Sequence, residues 1–134
     1  MVNDELIKNS FEISQNEVAL ITIVYKEGFS EPEENKRQAG LVQSKVVEIV
    51  NQDPDKKHDL LLDIINLGGL NYISSEAREI YGDMAKLPQL GKAAVVGNNT
   101  FLEVVINLLM KTAGKDESFK WCKSRDEALE WLKS

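Results

Sequence analysis

Two short apolar runs constrain what this chain can fold into more than any other feature. Residues 60–65 are interrupted only by Asp63, and residues 93–96 are closed by Gly97 and Asn98. Both runs are shorter than a helix and lack the alternation of a strand with one wet face, so each reads as a strand covered on both sides. Such strands belong to parallel sheets packed by helices.

The flanking segments supply the helices. Phe11 and Ile13 alternate with polar residues, Gln15 and Asn16 supply turn chemistry, and the β-branched stretch 18–25 follows, so the chain is expected to open on a hairpin. Ser30 and Glu33 form a capping box around Pro32, and Val42, Val46, Ile49 and Val50 recur at helical spacing to about Gln52. Pro54 breaks the charged segment 53–59, in which the lone His58 is expected as a solvated surface residue. Ser74 is the expected N-cap of a helix whose Ala77, Ile80, Tyr81, Met84 and Leu87 face the core. Thr100 with Glu103, and Ser124 with Glu127, make two further boxes, and Gly114 is a natural stop between them. Residues 118–122 read as the last strand, with Ala128, Leu129, Trp131 and Leu132 on a final helix. The expected fold is α/β, a mixed, mostly parallel sheet with an N-terminal hairpin and four helices. The order is β-β-α-β-α-β-α-β-α, in one domain over 1–134.

Composition narrows the function. A net charge of -6 opposes binding to phosphate backbones and anionic lipid surfaces, so no nucleic-acid partner is expected. The first residues lack the apolar core of a leader and the apolar stretches are too short to span a bilayer, so a cytoplasmic protein without membrane insertion is expected. The single cysteine, Cys122, allows no internal disulfide and reads as a structural thiol. There is no GxGxxG, phosphate-binding GxxxxGK[ST], HExxH, EF-hand or paired His and Cys spacing. No catalytic residue, metal or cofactor is therefore expected, and the chain reads as non-catalytic.

Residues 60–84, LLLDIINLGGLNYISSEAREIYGDM, resemble the strand, loop and helix of the STAS domain, the fold of anti-sigma-factor antagonists. LGKAAVVG followed by a helix, and the closing FKWCKSRDEALEWLKS, are closer still to the SpoIIAA-like branch, described as STAS and CRAL-TRIO-like. The resemblance spans essentially residues 10–134. It implies a regulatory module that docks a protein partner through the loop and helix at 66–87, under control of a serine phosphorylated at the helix start. By position that serine is Ser74 or Ser75, with Glu76 and Arg78 beside it. Ile73 and Glu76 stand where the phosphoswitch proteins carry Asp and Gly. As plain structure, Ser74 is the cap and Ser75 and Glu76 fill the first turn.

A second candidate lies on the helix after Thr100. At 100° per residue, Glu103, Asn107 and Lys111 form one polar stripe, while Phe101, Val104, Val105, Leu108 and Leu109 are expected to cover the sheet. Leu102, Ile106, Met110 and Ala113 are left over for helix packing, a homodimer face or an apolar ligand. The CRAL-TRIO resemblance implies the last of these, a module that binds a small apolar or lipid-like ligand. Trp121 and Trp131 are of a size to shape a pocket, and core positions near the sheet are the expectation for both.

Overall fold

Alternating apolar residues build β1 (Phe11–Gln15) and β2 (Leu20–Tyr25), which pair antiparallel with Phe11 opposite Tyr25. The computed structural model describes residues 3–16 and 19–134, so Val18, expected to open the second strand, lies outside the described residues. Asn16 closes the turn, its Oδ1 accepting the Leu20 N–H at 3.0 Å. From β2 the pairing becomes parallel, through β3 (His58–Asp63) and β4 (Leu90–Val96) to β5 (Phe119–Cys122). The five strands lie in sequence order in one mixed, mostly parallel sheet.

Helices α2 (Pro32–Asn51), α3 (Ser75–Ala85) and α4 (Thr100–Thr112) make the crossovers between the parallel strands. Right-handed crossovers between neighbouring strands in sequence order return on the same side, so these helices share one face of the sheet. Ile21, Ile23, Leu60 and Val95 there pack with Val42 and Val46 of α2, Met84 of α3, and Leu102 and Met110 of α4. The opposite face, with Leu20, Leu61, Ala94 and Cys122, is covered by Ala128, Leu129, Trp131 and Leu132 of α5 (Arg125–Lys133). Lys92 of β4 secures α5, its Nζ donating to Trp131 O at 3.2 Å and lying 5.2 Å from the Trp131 ring centroid.

A fifth helix precedes those the sequence pattern indicates. α1 (Asp4–Lys8) spans five residues, too few for a readable periodicity. Asn3 Oδ1 caps it by accepting the Leu6 N–H at 3.2 Å, Ile7 is fully buried, and Asp4 pairs with Arg37 of α2 at 3.0 Å. The Arg37 guanidinium holds the Asp4 carboxyl below its usual range.

Two helix starts differ by one residue from the expected capping boxes. Pro32 occupies the first helical position, where its fixed φ is accommodated, so the N-cap of α2 is Glu31 rather than Ser30 and its side chain makes no cap bond. Asn99 displaces Thr100 as the cap of α4, its Oδ1 accepting the Leu102 N–H at 3.0 Å. Ser74 and Ser124 cap α3 and α5 as expected, accepting from Ala77 N and Glu127 N. Gly114, at φ +73°, ends α4 with paired bonds from Lys115 N to Met110 O and from Gly114 N to Lys111 O.

His58 overturns its expected place on the surface. It is the first residue of β3, two residues before Leu60, so the alternation of the strand turns its ring toward the core. It is fully buried, and neither ring nitrogen has a hydrogen-bond partner. The charged segment before it reads as a turn, which hides the strand start.

One buried amide fixes α3 against α2. Asn35 Nδ2 donates to Phe29 O at 3.0 Å, and its Oδ1 accepts the Ser74 N–H at 2.9 Å. Asn35→Ala strands a buried donor and a buried acceptor together, so urea unfolding should show a loss of about 2 to 3 kcal/mol.

Candidate functional site

The crossover face does not fill completely. α3 and α4 meet closely at Gly82, where a Cβ would stand 3.4 Å from Leu109 Cδ1. Nearby, small residues on both layers, Ala85 of α3 and Gly91 and Ala93 of β4, line a cavity of about 110 Å³. Leu62 and Ala93, on the two central strands, remain only partly buried for this reason. The walls are apolar, with Met84 from α3 and Leu102, Ile106 and Met110 from α4, and the loop residues Leu67, Leu70, Tyr72 and Ile73 complete them. An apolar cavity of about 150 Å³ admits benzene, so this one suits a molecule of that size or a little smaller.

Polar groups gather at one end. Tyr25 closes β2 and Tyr81 lies on the second turn of α3, and both line the cavity with their hydroxyls 2.8 Å apart. Burial raises the Tyr25 phenol well above its ordinary value, with the neighbouring Tyr81 adding to the shift. Burial likewise pushes Tyr81 up to about 12, partly countered by the bond from Tyr25. Asn35 and Gln38 line the same end; Gln38 Nε2 donates to both Ser10 Oγ and Glu27 O, and Asn35 Nδ2 donates one N–H to Phe29 O.

The candidate residues of α4 fall on this cavity. Leu102 and Met110 are buried and Ile106 packs partly buried beside them, so they form the sheet-facing side of α4. The reading that gave that side to Phe101, Val104 and Leu108 is overturned, since these are 43%, 62% and 63% exposed. A helix apolar on both sides of a narrow polar stripe has two candidate inner faces, and periodicity alone does not choose the phase. With Leu102 and Met110 buried and Ile106 partly buried, the exposed apolar stripe of α4 runs along Phe101, Val104 and Leu108.

The serine pair divides in two. Ser74 is 3% exposed, and its Oγ accepts the Ala77 N–H at 3.0 Å, which commits it to the cap. Ser75, Glu76 and Arg78 are exposed, with Ser75 Oγ donating to Glu76 Oε1 at 3.3 Å. Asp63, which ends the β3 strand, is engaged locally, accepting from Ile65 N at 3.1 Å and from Arg125 at 2.7 Å. Cys122 is fully buried, and burial together with Glu127 raises its thiol, so it stays protonated.

Asn99 has a role at the site that no sequence motif marks. Besides capping α4, its Nδ2 donates to Gly68 O, Leu70 O and Asn71 Oδ1 at 3.0 to 3.1 Å, tying the loop after β4 to the loop after β3. The Gly97-Asn98-Asn99 turn was the available signal. Gly97 permits the close approach there, since a Cβ would lie 2.9 Å from both Ile64 Cγ1 and Trp121 Cζ2.

Among the described residues, no group of three or more His, Cys, Asp or Glu is gathered to hold a metal ion, and no helix is long and apolar enough to cross a membrane. The site is thus an apolar cavity with a phenol pair, in an α/β fold built on a mixed five-stranded sheet. Comparison with models of known families, with curated proteins and with solved structures gave no match.

The phenol pair has a measurable signature. A phenol whose pKa is raised in the folded protein stabilises the fold fully below the unfolded value of about 10, and that stability is lost as pH rises through the folded value. Urea stability should therefore hold to about pH 9 and fall steeply above about pH 10. In Tyr25→Phe/Tyr81→Phe this alkaline fall should be shallower.

Proposed function

We propose that this domain is a non-catalytic binding module whose cavity takes a small apolar molecule. The observation that carries the reading is the unfilled space of about 110 Å³ among Leu62, Met84, Leu102, Ile106 and Met110. Interiors ordinarily close-pack, and voids of this size are few. Apolar walls favour an apolar guest by about 25 cal/mol for each Å² removed from water. The resemblance of residues 10–134 to the SpoIIAA-like branch, with its CRAL-TRIO likeness, points the same way.

Benzene titrated against isotope-labelled protein tests this. Shifts are expected at the methyls of Leu62, Ile106 and Met110, and Ala93→Leu, which projects into the space, should abolish them while the protein stays folded. Absence of shifts at these methyls, or benzene binding that survives Ala93→Leu, overturns the reading. Native mass spectrometry of gently purified protein would then identify any retained guest.

A second reading, docking of a protein partner as in STAS modules, is favoured by the exposed stripe Phe101, Val104 and Leu108. Asn99 ties the start of α4 to the loop ahead of α3, so Phe101 and the exposed Ser75, Glu76 and Arg78 start helices at the same end of the sheet. On this reading a phosphate falls on Ser75, because Ser74 is consumed by the cap. If the partner is a second copy, sedimentation equilibrium should give a concentration-dependent dimer that Leu108→Asp reduces to a monomer. A monomer at every concentration rejects the homodimer.

A further inference from the structure

Two phenols joined by one hydrogen bond own two O–H protons, and the bond between them uses only one. At the Tyr25–Tyr81 pair the hydroxyls are 2.8 Å apart, and neither has a hydrogen bond to any other described residue. Tyr25 is 3% exposed and Tyr81 is partly buried, so whichever hydroxyl keeps the remaining proton lies at the cavity wall rather than on the outer surface. A buried donor left without an acceptor costs about 1 to 3 kcal/mol, and native interiors rarely carry one without a reason. Both tyrosines line the cavity.

From this we infer that the guest of the cavity is an uncharged molecule with an apolar body and one oxygen acceptor, a carbonyl or ether, which takes the spare proton of the Tyr25–Tyr81 pair. The inference rests on the cavity-binding reading and specifies the class of ligand. An acceptor is required rather than a donor because the proton is what the pair has in surplus. Gln38 Nε2 does not compete for that acceptor, since both of its N–H groups are donated to Ser10 Oγ and Glu27 O, while Asn35 is fixed by donating one N–H to Phe29 O and accepting from Ser74 N. The guest is uncharged because a carboxylate buried against a single neutral donor forfeits most of its hydration. The charged lining residue among those described, Lys115, follows α4 at the amino end of β5, whereas Tyr25 ends β2, at the other end of the strands and three strands away. The raised phenol values agree, holding both hydroxyls protonated as donors.

Cyclopentanone and methylenecyclopentane have the same shape and differ in the acceptor oxygen, and cyclopentanecarboxylate adds the charge. Each is titrated into wild-type protein and Tyr25→Phe/Tyr81→Phe, with methyl shifts at the cavity as readout. The double variant should weaken cyclopentanone about tenfold, which is the contribution of one hydrogen bond, and change methylenecyclopentane by less than about twofold. In wild-type protein the carbonyl carbon of bound, labelled cyclopentanone should lie downfield of its position in an alkane solvent, a carbonyl shift that reports the donor even if the double variant fails to fold. Binding of methylenecyclopentane with no carbonyl shift, or with cyclopentanone affinity unchanged in the folded double variant, overturns the inference and leaves the cavity reading standing. Binding of the carboxylate as tightly as the ketone also overturns it. If no probe shifts the cavity methyls of wild-type protein, both fall together.

Discussion

Right-handed crossovers between strands laid down in sequence order govern this molecule. Each of the three parallel connections must return on the same side, so α2, α3 and α4 are crowded onto one face and α5 alone is left for the other. The crowded face carries the larger core cluster, and the small residues at its centre leave the cavity between sheet and helices. The two faces thus have different work. The α5 face closes over Cys122 and Ala94, while the crossover face holds the space and the tyrosine pair.

Two asparagines hold that face in shape. Asn35 joins α2 to the first residue before α3, and Asn99 joins the cap of α4 to the loop that leads toward α3. Each uses its amide as donor and acceptor at once, which neither a carboxylate nor a hydroxyl of similar size reproduces. They stand at the starts of helices, on the side of the sheet where parallel α/β folds place their sites. The serine pair that draws attention in the sequence is subordinate to this scaffold: Ser74 is one of the groups being held, and Ser75 is exposed beside it.

What the sequence reveals follows from how local each feature is. The hairpin, the apolar central strands and the caps at Ser74 and Ser124 depend on neighbours along the chain, and all are legible. α1 is too short for periodicity, and His58 is masked by the charged segment ahead of it. α4 is apolar around so much of its circumference that its inner face is set by the sheet rather than by the helix. Leu102, Ile106 and Met110 were legible as residues with spare apolar surface, yet the cavity they line was not. It depends on Ala85, Gly91 and Ala93 being small at one place, and on Tyr25 and Tyr81 meeting across 56 positions of chain.

The two edges of the sheet bear on how such a domain behaves in a crowded solution. β1 runs antiparallel with Glu12, Ser14 and Gln15 exposed, and Glu12 is paired to Lys26 at 2.7 Å. β5 is four residues long, with Lys120 exposed within it and Lys123 immediately after. Short, charged edges are poor templates for strand addition, because an incoming chain must bury charge to gain few backbone bonds. Self-association by sheet extension, the route toward fibrils, is therefore disfavoured at both margins, while the helical face retains its apolar stripe.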